Sequence, residues 1–309
     1  MPLLQKFTQL GGVTTTMRTT DSMHSPSAGW ISVFYAASPS EFGCNDHGCD
    51  NVPRFDPNYR SFIDILEEDH DYETRVFSEN ARVFSDILER DDKIHSADLC
   101  TRSLFNLARI TDLPQAQRRI VVVHLSCLDR LGAVSGYTSY NYLDRVHCLD
   151  KEIASLSMQL WDHAPNYTTF LMTSNHGGSG FTHTQFNLQT INVPFVAWGY
   201  GFKKHAHFMG KYLLTQQIAP TLFTALNISD EIPLTWLEKP MSDDVYANAP
   251  GTYAIQYEVE ELLPEEITID NQQCIPSFST THQSVRQVYI VIGVVFSIYL
   301  FLGLFAVHH

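Results

Sequence analysis

Residues 168–178 read T-T-F-L-M-T-S-N-H-G-G. A short β-prone apolar run empties into a polar turn that carries Asn175 and His176 and ends in two glycines. That is the form of a buried strand delivering side chains to a crevice. Two other segments repeat it. Residues 119–132, R-I-V-V-V-H-L-S-C-L-D-R-L-G, predict a buried strand ending in a candidate ligand, Asp129, and residues 193–199, V-P-F-V-A-W-G, predict another after His183. Helical material separates the three, which points to an α/β fold with a mostly parallel central sheet whose polar residues gather at one edge.

With 309 residues and 44% hydrophobic content the chain can bury one good-sized core. A net charge of -14, without clustered Lys and Arg, argues against nucleic acid as a partner. Six cysteines are too few for a disulfide scaffold. Cys44 and Cys49, in G-C-N-D-H-G-C, read as a local disulfide or two free thiols, because a zinc half-site would need a second close Cys pair. Asn166 (N-Y-T) and Asn227 (N-I-S) are glycosylation acceptors compatible with a lumenal or extracellular domain.

Residues 288–307 carry no charge. As a helix at about 1.5 Å per residue they would reach roughly 30 Å, the thickness of a bilayer core, so they predict a single transmembrane helix and a membrane partner. Before it, residues 256–287 are acidic and then polar, in keeping with a stalk, and residues 1–255 hold the α/β domain. The opening M-P-L-L-Q-K-F lacks the long apolar core of a signal peptide.

In chain order, residues 1–12 suggest a short amphipathic helix, followed by a Thr- and Ser-rich stretch to Ser25. Residues 26–37 predict a helix with Ser25 as cap and Pro26 in its first position, its N-terminus suited to an anion. A helix near 62–68 and a strand near 74–77 follow, and the charges of 87–102 read as solvated helix faces. Residues 137–160 give the clearest helix, with Tyr142, Val146, Leu149, Ile153, Leu156 and Leu160 in one buried stripe. Asp144, His147 and Asp150 on its flanks read as exposed. A last helix is expected over 220–226.

Taken together, the strand with Asp129, the helix with Y-x-x-x-V-x-x-L-D-x-x-I, the S-N-H-G-G turn, the later His183, V-P-F-V-A-W-G and I-A-P-T-L resemble the alkaline phosphatase superfamily. The likeness is to its type I phosphodiesterase and nucleotide pyrophosphatase branch and to the GPI ethanolamine phosphate transferases. It covers about residues 1–250. It implies phosphoester hydrolysis or transfer by two zinc ions about 4 Å apart, with a Thr or Ser at a helix N-terminus attacking phosphorus.

Carried over by position, the resemblance makes Asp129, His176 and His183 metal ligands. Asp129 and His183 would share one zinc, and His176 with the neutral oxygen of Asn175 would hold the other. The departures are as specific: Ala133 stands where D-x-x-G-H has its His, Asn175 where S-D-H-G has its Asp, and the family's first strand with its Asp would precede Met1. Counting back from P-S-E-F-G at 39–43 puts the nucleophile on Pro26, with Ser25 and Ser27 as substitutes. The C-x-P-x-R motif of sulfatases is absent. The resemblance thus implies a membrane-anchored phosphodiesterase or phosphotransferase-like protein with a degraded metal and nucleophile site. The alternatives are an inactive ectodomain kept for binding or structure, and an unrelated membrane-anchored α/β domain. Its ligand would be a phosphoester or a glycolipid.

Overall fold

Among the described residues, the apolar runs become strands of one nine-stranded sheet. In this computed structural model the described residues are 12–19, 26–44, 49, 59–88, 94–96, 118–163, 168–203, 206–207, 213–236, 238–241, 246 and 288–295. The strands are β1 (Gly12–Arg18), β2 (Glu73–Ser78), β3 (Ile94–Ser96), β4 (Arg118–Leu125), β5 (Thr168–Thr173), β6 (Asn192–Gly199), β7 (Ala206–His207), β8 (Leu213–Leu214) and β9 (Val288–Val295). The helices are α1 (Pro26–Tyr35), α2 (Phe62–His70), α3 (Ala81–Leu88), α4 (Cys127–Ser135), α5 (Tyr140–His163), α6 (Leu188–Ile191) and α7 (Ile218–Ala225).

The strand order is β3-β2-β4-β9-β5-β6-β1-β7, with β8 also paired to β1. Every strand but β6 runs the same way, so the sheet is mostly parallel as expected. β6 departs from the expected parallel set and pairs antiparallel with both β5 and β1. Its link from β5 holds only the four-residue α6, too little helix to carry the chain back across a sheet face. β1, G-V-T-T-T-M-R, lies in the stretch read as Thr- and Ser-rich; its β-branched threonines suit a strand. β3 likewise replaces part of the expected helical run over 87–102.

β9 is the largest departure from the sequence reading. Residues 288–295, expected to open a transmembrane helix, lie between β4 and β5 and pair parallel with both. The run V-Y-I-V-I-G-V-V is rich in β-branched residues, and a wholly apolar run suits the centre of a parallel sheet as well as it suits a buried helix. Among the described residues no helix is long and apolar enough to cross a membrane. The amphipathic helix expected over 1–12, the stalk over 256–287 and the rest of the anchor, 296–307, lie outside the described residues, save Gly12 in β1.

Both sheet faces are covered. Ile120, Val122, Leu171, Phe195 and Ala197 join α1, α2, α3 and α7 in the main core. Their neighbours Val121, Val123, Phe170 and Met172 are buried as well, on strands that lack a polar face. Aromatic rings lock α1 down: Phe34 stacks on Phe62 at 5.1 Å and meets Phe84 edge-on at 5.6 Å. Helix α5 starts three residues later than expected, and its stripe residues Tyr142, Val146, Leu149 and Ile153 are buried. Asp144 and His147 are exposed, but Asp150, expected at the surface, is fully buried. It lies four residues after Val146 and so shares the buried face. Cys44 and Cys49 are joined by a disulfide. Asn227 is exposed just after α7 in the left-handed region, at φ 61°, while Asn166 lies outside the described residues.

Candidate metal centre

β4 and β5 reach the same sheet edge with β9 between them, Leu125 pairing with Val295 and Thr173 with Val294. Asp129 stands not at the end of β4 but on the first turn of α4. That helix is held by Glu79, whose buried carboxylate accepts from the Cys127 amide, where a helix N-terminus favours negative charge. His176 follows β5, and His183 lies in the link to β6. The three converge: one ligand atom from each of Asp129, His176 and His183 lies within 4.8 Å of the other two.

Each side chain is prepared in a different way. His176 is buried and donates its Nδ1 proton to the Gly177 carbonyl at 2.9 Å, which leaves Nε2 as the lone-pair nitrogen. Burial first, and then the neighbouring His183, push its pKa down to about 4, against a smaller pull from Asp129. It is therefore neutral at pH 7, the form a metal ligand needs. The His183 ring stacks on it with centroids 4.1 Å apart. Nδ1 of His183 is buried with no hydrogen-bond partner among the described residues, an arrangement that costs about 1–3 kcal/mol. The Asp129 carboxylate accepts a hydrogen bond from the buried Tyr137 hydroxyl.

These donors fit one cation. Zinc bonds to nitrogen and oxygen at about 2.0–2.2 Å, so tetrahedral ligands stand about 3.3 Å apart, and modest side-chain movement closes the gap from 4.8 Å. Two histidines and a carboxylate with a fourth position open is a familiar catalytic set. The three residues form one group. The parts of a second position are poor: Ala133 is exposed and Asn175 is neutral.

The segment where the resemblance expects a nucleophile lies alongside. Pro26 opens α1, Ser27 is half-buried on its first turn, and Ser25 is outside the described residues. A Cβ on Gly29 would stand 2.7 Å from both Cβ and the carbonyl oxygen of Asn175, so the start of α1 abuts the turn that carries His176.

Two residues escaped the sequence reading. Tyr137, taken as the start of the long helix, precedes it and turns inward. His124 ends the apolar run of β4, where nothing but its polarity marks it. It is buried, shares a 2.8 Å hydrogen bond with Ser78 through Nδ1, and meets Trp30 and Phe84 edge-on. Burial lowers its pKa to about 3, opposed by Asp129 and aided by His176.

No protein-family profile matches the sequence, and no curated protein does. Solved structures match its fold. The lipoteichoic acid synthase LtaP of Listeria monocytogenes superposes with a TM-score of 0.54 at 14% identity, over 76% of this chain and 68% of that one. A 2-O GAG sulfatase gives 0.58 at 12% identity, over 77% and 67%. A structure from the glycosaminoglycan metabolism of Bacteroides thetaiotaomicron gives 0.54 at 11% identity, over 77% and 68%. The chain therefore has an alkaline phosphatase-like fold.

Proposed function

We propose that this chain handles phosphoesters in a metal-dependent way, with a single metal position and little turnover. The observation that carries the reading is the convergence of Asp129, His176 and His183 within 4.8 Å. A divalent ion such as zinc, when bound, would supply Lewis acidity toward an ester oxygen. Asp129 offsets positive charge, His176 presents Nε2 in a fixed orientation, and the N-terminus of the ten-residue α1 favours an anion beside Asn175. Ser27 is the described hydroxyl nearest the position where the resemblance expects attack, with Ser25 the other substitute.

The ligand class we favour is a phosphoester with an apolar or glycan body, as in a glycolipid. Phe181, Phe186 and Leu188 are exposed on the link that carries His183, and Val134, Tyr140 and Leu143 on the segment around Tyr137. Exposed apolar side chains gathered on segments that border a site support an apolar contact there. The disulfide at Cys44 and Cys49 supports a lumenal or extracellular location. Attachment through residues 288–307 is the part of the sequence reading that the sheet opposes, because β9 uses 288–295.

The second reading, an inactive binding ectodomain, is favoured by the neutral Asn175 and the apolar Ala133. Zinc content and turnover of a chromogenic phosphodiester separate the two. The first reading expects about one zinc per chain and slow turnover that inorganic phosphate inhibits; zinc without turnover supports the second, and no zinc defeats the first. Ala133→His with Asn175→Asp should raise zinc content above that of the parent, since position 133 lies four residues after Asp129 on the same helix face.

A further inference from the structure

We infer that Tyr137 is a positioning residue of the metal centre: its hydroxyl holds the Asp129 carboxylate in the orientation in which it ligates. The inference rests on reading Asp129, His176 and His183 as a metal site. Tyr137 donates its hydroxyl proton to Oδ1 of Asp129. That bond fixes the plane of the carboxylate, so Asp129 would ligate in a set orientation. A hydrogen bond of this kind to a ligating carboxylate governs both affinity and geometry.

The ring is held where it must be for this. A Cβ on Gly132 would lie 2.4 Å from the Tyr137 ring, and so would a Cβ on Gly178. These glycines come from the two motif segments that supply Asp129 and His176, and the phenol fills the slot between them. Its backbone is pinned as well, the Tyr137 amide donating to the Gly180 carbonyl at 2.9 Å. The ring packs on Tyr142 with centroids 5.5 Å apart and is buried. One side chain thus ties α4, the start of α5 and the turn after β5 into one wall of the site. Gly132 of D-R-L-G and Gly178, the second glycine of H-G-G, have their physical reason here.

The test is zinc and cobalt binding to the purified protein, by competition with a chromophoric chelator and by the visible spectrum of the cobalt form. Tyr137→Phe keeps the ring in its slot and removes only the hydroxyl. We expect its melting temperature without metal to stay near the parent's, its zinc affinity to fall about 10–100-fold, and its cobalt spectrum to change. Zinc affinity and cobalt spectrum equal to the parent's would overturn the role of Tyr137 and leave the metal reading standing. A parent that binds neither metal would overturn both. Should Tyr137→Phe not fold, the ζ-carbon resonance of Tyr137 in tyrosine-labelled parent gives the answer: it should move on zinc addition, and a fixed resonance counts against the inference.

Discussion

The imidazoles of His176 and His183 stack with their centroids 4.1 Å apart and their planes 18° from parallel, one ring buried and the other half-buried. Two neutral rings tolerate that arrangement, whereas two imidazolium ions would repel each other. His183 also contributes a buried Nδ1 with no hydrogen-bond partner among the described residues. Without metal, therefore, the ring costs stability; with metal it should return it. We expect His183→Ala to leave the melting temperature of metal-free protein unchanged or slightly raised, and to abolish most of the increase that zinc gives the parent. Differential scanning fluorimetry with and without zinc measures both arms.

Gly29→Ala addresses the contact between α1 and the metal turn. The added Cβ would meet backbone and Cβ atoms of Asn175 at 2.7 Å, and a backbone cannot step aside as a side-chain tip can. Overpacking of this kind typically costs about 1–3 kcal/mol. Urea unfolding should show a lower midpoint with an unchanged slope, and zinc binding should weaken because the turn before His176 must move. An unchanged midpoint would mean that α1 can shift away from Asn175.

How much of this was legible in the sequence depends on what each residue answers to. Asp129, His176 and His183 could be picked out because ligand side chains in short polar turns after apolar runs are a local pattern. Their meeting at one sheet edge was legible as well, because strands of a parallel sheet deliver their following turns to the same edge; that Asp129 rides on the first turn of α4 rather than on the strand end was not, since it depends on where that helix starts. Tyr137 was hidden because its significance lies in two glycines, one five residues before it and one far along the chain. Asp150 was misread because charge was weighed above its spacing from Val146. The helix expected over 288–307 failed across its first eight residues for a physical reason: an apolar run satisfies either a bilayer or a sheet centre, and only the neighbouring strands choose.

The acid side of the stability curve should carry the signature of His124. Burial keeps it neutral in the folded protein, with a pKa of about 3, while in the unfolded chain it titrates near its ordinary value of 6.5. The unfolded state therefore takes up a proton first as pH falls, and stability is lost between about pH 6.5 and pH 3. For one such group the loss from pH 7 to pH 5 is about 2 kcal/mol. His124→Asn, which keeps a hydrogen-bonding group near Ser78, should flatten the curve over that range by about this amount. Chemical denaturation of metal-free protein at a series of pH values gives the comparison, and parallel curves for parent and variant would contradict it.

The last prediction concerns β9, whose two uses exclude each other. With residues 288–295 in the sheet, those eight residues are not available to a transmembrane helix. With 288–307 in a bilayer, β4 and β5 would lose the strand between them, and the Asp129 and His176 segments would lose their spacing. Val122 and Ile292 are register partners on β4 and β9. Neighbouring strands stand about 4.8 Å apart, within the Cα separation of about 4.4–6.8 Å that a disulfide spans. The pair Val122→Cys with Ile292→Cys should therefore cross-link under mild oxidation, reversibly with reductant, and the linked protein should still bind zinc. The control pair Val122→Cys with Val288→Cys, displaced by several residues along the strand, should not link. Failure of the register pair to link, together with resistance of the protein to alkaline carbonate extraction, would assign 288–307 to the membrane and remove β9 from the sheet.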